Sequence, residues 1–186
     1  SLIAGIGFVS GTRCLVVASD SGINAGAMSR MTGDKLMRAF AIASQNRLPF
    51  VHLVESAGAD LMKYEVDEFV MGGELFARHA QLSAQGVPVI TVLHGSSTAG
   101  GAYLPGMSDV VVGVRGRGRA FLAGPPLFKA ATGEIATAED LGGVDMHATV
   151  SGLVEYVAED DADAIRIARE VVRRQGWGAR WLPQAP

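Results

Sequence analysis

One cysteine, no run of basic residues and no long apolar stretch: these shortages set the first limits on this chain of 186 residues. A single thiol, Cys14, excludes a disulfide framework and a cysteine-rich zinc module. Its place in the apolar run Cys14-Leu15-Val16-Val17-Ala18 marks it as a small buried hydrophobe. The net charge is -3, and without clustered Lys and Arg the chain lacks what phosphate neutralisation requires, which argues against nucleic-acid binding as its main task. No stretch reaches the roughly 18 consecutive apolar residues of a membrane span, and no charged-then-apolar signal segment opens the chain. The expected setting is the cytoplasm, or an organelle matrix after processing, with no membrane partner.

What is present suits a packed domain. With 48% hydrophobic and 19% charged residues, the chain can bury a substantial core, and its length favours one unit. It starts at Ser1, with a strand pattern within two residues, and is expected to be a piece of something longer. Short β-type runs alternate with helical patterns, which predicts an α/β protein. Leu2 to Val9 and Arg13 to Ser19 read as a hairpin around Ser10-Gly11-Thr12. A helix is expected after Thr32-Gly33 through about Asn46, with Leu36, Phe40 and Ala43 on one face, followed by a buried strand from Phe50 to Val54. From Glu65 to Ala84 the period of Phe69, Gly73, Phe76, Ala80 and Ser83 predicts one helix packed through small residues. Val87 to Leu93 and Val110 to Val114 read as strands covered on both sides. Pro126 to Thr132 reads as a short helix, Thr137 with Asp140 as a capping box, and a last helix starts near Asp160. Residues 177–186 read as a frayed tail.

Two strand ends run into small residues. Gly95-Ser96-Ser97-Thr98-Ala99-Gly100-Gly101-Ala102-Tyr103 follows one strand, and Glu55-Ser56-Ala57-Gly58-Ala59-Asp60 follows another. Such turns leave main-chain N–H groups free and let a ligand approach the backbone, and ligands of open α/β sheets bind beyond strand ends. Ordinary tight turns would look the same. No side chain stands out as an acid, base or nucleophile. Glu55, Asp60, His52 and His94 lie near these strands and read as structural, and Ser97 beside His94 lacks a third group to orient the pair.

A longer pattern carries a resemblance. Ser96-Ser-Thr-Ala-Gly-Gly-Ala-Tyr-Leu-Pro-Gly-Met-Ser-Asp109, Phe121-Leu-Ala-Gly-Pro-Pro-Leu-Phe-Lys-Ala-Ala-Thr-Gly-Glu134 and Glu139-Asp-Leu-Gly-Gly-Val-Asp-Met-His147 resemble the carboxyltransferase β subunits of biotin-dependent acyl-CoA carboxylases. Gly-Gly-Ala-Tyr-Leu-Pro-Gly-Met-Ser-Asp is closer to the methylcrotonyl-CoA and geranyl-CoA branch than to the propionyl-CoA branch. The similarity runs from Ala4-Gly5 to about Asp163. It matches the body of the family's N-terminal domain, expected over residues 1–176, without its first segment and without the C-terminal domain.

The resemblance implies a crotonase (ClpP-like) fold of repeated β-β-α units and a transfer of CO2 from carboxybiotin to an acyl-CoA through an enolate held by backbone amides. On that basis Gly100, Gly101 and Ala102 hold the thioester oxygen, Gly58 and Ala59 form one side of the acyl pocket, and Asn24, Gly26 and Lys35 contact CoA. The loop Ser19 to Ala27 departs from the family's pattern there, and the stretch from Asp60 to Met71 is shorter. Biotin is expected on a separate carrier domain, because Met62-Lys63-Tyr64 lacks the second Met of a biotinylation site. The implied partners are acyl-CoA, that carrier, a biotin carboxylase, the C-terminal carboxyltransferase domain and further copies of the chain, with no metal. Two alternatives remain. One is a free-standing crotonase-type hydratase, isomerase or decarboxylase with Glu55 or Glu134 as its carboxylate; the other is a non-catalytic acyl-CoA-binding or oligomerisation module.

Overall fold

Two eight-residue runs joined by Ser10-Gly11 form the first hairpin, β1 (Leu2–Val9) with β2 (Thr12–Ser19), in register from Leu2↔Ser19 to Val9↔Thr12. Both turn residues have positive φ, 48° and 79°, the geometry whose twist matches paired antiparallel strands. The computed structural model describes residues 1–63 and 65–180. In chain order the hairpin is followed by α1 (Arg30–Asn46), β3 (Phe50–Ser56), α2 (Val66–Met71), α3 (Gly73–Ala84), β4 (Val89–Thr98) and α4 (Tyr103–Gly106). Then come β5 (Val110–Val114), β6 (Arg119–Phe121), α5 (Pro125–Thr132), α6 (Ala138–Gly142), α7 (Val144–Met146), β7 (Tyr156–Ala158), α8 (Asp161–Arg174) and α9 (Trp177–Arg180). The sheet order is β1-β2-β3-β4-β5-β7, with β6 added to the end of β4; every pairing except β1 with β2 is parallel.

Alternation along the strands splits the core in two. On one face Leu15, Val17, Phe50, Val54, Val89 and Leu93 meet Leu36, Phe40 and Ala43 of α1 with Leu75 and Leu82 of α3. On the other, Cys14, Val51, Ile90, Val92, Val112 and Val114 meet Ala164, Ala168, Val171 and Val172 of α8. Full burial of a side chain such as Phe40 is worth about 2–3 kcal/mol, so this double cover holds the central strands and fixes where their ends lie. Helix ends are set locally. Ser29 caps α1, Asp160 caps α8, and Thr137 with Asp140 forms the reciprocal box at α6 that the sequence predicts.

Four expectations change. The segment from Glu65 to Ala84 is two helices broken at Gly72, and α3 buries Leu75, His79 and Leu82 while Phe69 and Ala80 are exposed. The larger side chains, one position round from the small ones, take the core. Second, β4 does not stop at Leu93: pairing with β6 extends it through Thr98, so four residues of the glycine run are strand. Third, α1 begins at Arg30, four residues before Asp34, because the Ser29 side chain caps it by accepting from the Thr32 N–H. Fourth, Trp177 is not frayed. Its indole N–H donates to the Arg47 carbonyl (2.7 Å) and the ring is buried. Residues 181–186 of the expected tail, and Tyr64 of Met62-Lys63-Tyr64, lie outside the described residues.

Candidate functional site

The ends of β3 and β4 are locked together by backbone contacts that few residues permit. After Ser56, the chain crosses the loop that follows β2: Ala57 N–H donates to Ala25 O (3.2 Å), Met28 N–H to Gly58 O (2.7 Å) and Asp60 N–H to Met28 O (3.1 Å). The Ser56 hydroxyl donates to Gly26 O (2.9 Å) and accepts from Gly58 N–H (3.1 Å). Gly58 has φ +85°, and a Cβ there would lie 2.8 Å from Thr98 O and 3.5 Å from the Gly100 nitrogen. At Gly101 a Cβ would lie 2.8 Å from Ser56 O. The two glycine turns are thus in mutual contact, and a side chain at either of these positions would push them apart.

Backbone strain gathers at the same place. Five non-glycine residues have positive φ among those described. Ser10 serves the hairpin and Arg47 the α1 C-cap, both ordinary uses. The other three, Asn24 (50°), Ala25 (52°) and Ala99 (51°), all lie in the segments that meet here. Each costs about 1–2 kcal/mol relative to a relaxed backbone, a cost that recurs where geometry is held for function.

The donors and walls are main chain and apolar side chains. With Gly58 O and Asp60 N–H both engaged by Met28, the Ala59 N–H donates to no protein acceptor among the described residues. Thr98 leads into a single 3₁₀ turn, Ala99–Ala102, whose first N–H groups have no partner within the turn. The side of Gly100 where a Cβ would stand faces Phe76 Cζ at 3.7 Å and Met28 Cε at 3.8 Å. Phe76 pairs with Tyr103, ring centroids 5.0 Å apart. Sequence reasoning missed Met28 and Phe76 as neighbours of the turn, since only the fold brings the post-β2 loop and α3 to it.

The polar candidates turn elsewhere. Glu55 accepts from Ser21 N–H (3.2 Å) and packs over Gly95; Asp60 accepts from Met62 N–H (3.2 Å). Glu134 is exposed beyond α5. Gly26 is brought against Ser56, with Asn24 exposed in the same 3₁₀ turn, but Lys35 spends its ammonium on Leu2 O (2.9 Å). His94 lines a cavity of about 190 Å³ with Leu53, Val92, Asp161 and Ile165, and it makes no hydrogen bond to Ser97, whose buried hydroxyl has no partner among the described residues. His52 lies within the core, its pKa pushed down to about 3, first by burial and then by His79 and His94. Among the described residues no group of three or more His, Cys, Asp or Glu could hold a metal, and no helix is long and apolar enough to cross a membrane.

A mixed sheet opened by a hairpin, with two interlocked glycine turns at the ends of its central parallel strands, defines a crotonase-type domain of the carboxyltransferase kind. A family model described as carboxyl transferase domain matches residues 1–175, and the chain belongs to that family. The geranyl-CoA carboxylase β subunit of P. aeruginosa superposes with a TM-score of 0.91 at 51% identity, over 99% of this chain and 34% of that one. A probable biotin-dependent acyl-coenzyme A carboxylase β2 subunit of Mycobacterium tuberculosis is 51% identical over 186 residues, 100% of this chain and 35% of its own length. Transcarboxylase 12S, solved as a hexamer with hydrolysed methylmalonyl-coenzyme A bound, gives a TM-score of 0.84 at 29% identity, over 92% of this chain and 33% of its own. The chain therefore spans about a third of the length of these relatives.

Proposed function

We propose that this chain is the acyl-CoA half of a carboxyltransferase, holding the thioester oxygen of an acyl-CoA of the methylcrotonyl type on backbone amides while CO2 is added to the substrate carbon. The observation that carries this is the contact of the two strand-end turns, which puts the unspent Ala59 amide and the Gly100 amide at one junction. Removing a proton from a carbon conjugated to a thioester places negative charge on that oxygen. Rigid N–H donors stabilise the charge where it develops, and one such donor is worth about 3–4 kcal/mol. Gly100, Gly101 and Ala102 supply one side of the cradle, Gly58 and Ala59 the other, and Asn24 and Gly26 lie on the loop assigned to CoA. The Lys35 assignment requires its bond to Leu2 to be exchanged for a phosphate.

Such chemistry asks this chain for no acid or base side chain, and the bond of Glu55 to the Ser21 N–H together with the exposure of Glu134 beyond α5 weighs against the hydratase alternative. Biotin, when bound, would supply the carboxyl group and would take the substrate proton on its ureido nitrogen. Met62-Lys63-Tyr64 lacks the second Met of a biotinylation site, so biotin on its carrier, the biotin carboxylase and the C-terminal carboxyltransferase domain are assigned to the rest of the assembly. Further copies of the chain are expected in it, as in the hexamer described for transcarboxylase 12S. The compartment is a bacterial cytoplasm or a mitochondrial matrix, in line with a mitochondrial Drosophila relative 48% identical over 174 residues.

Calorimetric titration with free CoA, propionyl-CoA and methylcrotonyl-CoA tests the reading. The expected result is binding of the esters with methylcrotonyl-CoA preferred and no hydration at the thioester absorbance band. No binding at millimolar concentration refutes it, and binding with hydration selects the hydratase alternative.

A further inference from the structure

Between α7 and β7 the chain forms one π-helical turn, His147–Ser151, a rare geometry that recurs at functional places. Its first residue is a buried histidine with both ring nitrogens engaged: Nε2 lies 2.7 Å from the Ala120 carbonyl and Nδ1 2.7 Å from the Ser151 hydroxyl. A carbonyl only accepts, so the ring proton sits on Nε2 and donates to Ala120, and Ser151 donates to Nδ1.

Ala120 is the middle residue of β6, a strand of three residues whose sheet partner is β4. The register sets Ser96 beside Arg119, Ser97 beside Ala120 and Thr98 beside Phe121, and β6 packs on the Ala99–Ala102 turn that begins there. On its far side β6 meets short pieces: Arg119 pairs with Glu139 of α6 and bridges to Gly143, and a Cβ at Gly142 would collide with the Ala120 carbonyl. So short a strand has little pairing of its own to hold it in place. The imidazole clamps its free side.

From this geometry we infer that His147 is a positioning residue for the thioester cradle, acting through the Ala120 carbonyl and β6 to hold the end of β4 and the Ala99–Ala102 turn. This rests on the proposed role of that turn. Ser151 serves by fixing the tautomer in which Nε2 carries the proton.

Glutamine and asparagine each reproduce half of the ring, so they separate positioning from mere filling. The side-chain nitrogen of Gln reaches the place of Nε2 and keeps the donor to Ala120; that of Asn stops at the place of Nδ1. Two readouts apply. The first is the affinity of methylcrotonyl-CoA relative to its thioether analogue, which lacks the carbonyl oxygen; the second is amide hydrogen exchange at Ala99–Ala102 in the free protein. His147→Asn is expected to lower the thioester preference about tenfold, one hydrogen bond's worth, and to speed exchange at the turn, while His147→Gln keeps both near wild type. Ser151→Ala, an exposed substitution tolerated by the fold, is expected to speed exchange about threefold by loosening the pair. Equal behaviour of Asn and Gln, or unchanged exchange at the turn in Ser151→Ala, overturns the inference. Should the wild type show no preference for the thioester, the reading of the cradle fails, and the exchange data still decide whether His147 holds the turn.

Discussion

Lowering the pH from 8 to 5 is expected to remove about 4 kcal/mol of stability, because two imidazoles are buried without a hydrogen-bond partner among the described residues. His79 of α3 stacks on Phe40, centroids 5.2 Å apart, and His52 of β3 stands edge-on to Phe50 at 5.9 Å. Burial drives the His52 pKa from 6.5 down to about 3, with His79 and His94 adding to it; burial takes His79 to about 4, against a partial lift from Asp109. In the unfolded chain both titrate near 6.5. The folded-state values are depressed, so the unfolded state binds more protons below pH 6.5, and stability present above that pH is lost as the solution is acidified. At pH 5 each unfolded imidazole is almost fully charged and each folded one is neutral. The difference of 1.5 pH units, at 1.36 kcal/mol per unit, gives about 2 kcal/mol per group and a slope of about 2 kcal/mol per unit for the pair between pH 5 and 6. Glu170, pulled down to about 2 by the Arg173 and Arg174 hydrogen bonds, acts in a separate window below its unfolded value of 4.5. Urea unfolding followed by circular dichroism at pH 8, 7, 6 and 5 measures the effect. A plateau above pH 7 and a fall below 6.5 are expected, and the double substitution His52→Leu with His79→Phe should flatten most of the fall. A loss under 1 kcal/mol by pH 5 in the wild type, or the same slope in the double variant, would refute the reasoning.

Two further predictions concern the backbone. Gly58→Ala places a Cβ 2.8 Å from Thr98 O at φ +85°, so it should cost about 2 kcal/mol in urea unfolding and weaken acyl-CoA binding; wild-type affinity would remove Gly58 from the cradle. Thr137→Ala takes away the hydroxyl that accepts from Asp140 N–H at 3.1 Å, and loss of that cap is expected to cost about 1 kcal/mol with acyl-CoA affinity unchanged, readable as a lowered urea midpoint.

Local rules carried far into this fold and stopped where tertiary contact decides. The hairpin at Ser10-Gly11, the Thr137 and Asp140 box and the apolar strand Val110–Val114 follow from turn chemistry, capping and period, and the structure has them where those rules put them, while β3 starts at Phe50 as expected and runs two residues past Val54 to Ser56. Helix α3 did not yield its face. Phe69, Gly73, Phe76 and Ala80 share a period with Leu75, His79 and Leu82, and only the facing Phe40 and Phe50 decide that the second set turns inward. Strand β4 was cut short for the same kind of reason: Gly95 to Thr98 carry turn-forming residues, and parallel pairing with β6 overrides that preference.

The candidate site divides along the same line, and the division follows from its chemistry. A cradle made of amides needs residues that permit backbone approach, and Gly58, Gly100 and Gly101 are visible in any sequence that contains them. What tells such a cradle from an ordinary turn is that the two turns touch, that Ala59 keeps its N–H while Gly58 spends its own on Ser56, and that Ala99 accepts φ +51° without being glycine. None of these leaves a mark on composition or period. His147 shows the limit most clearly. It stands 46 residues beyond Gly101, an ordinary member of a matched motif, and only its bond to the Ala120 carbonyl connects it with the turn. Side chains that do chemistry are legible as residue types; side chains that hold a backbone still are legible only through what they touch.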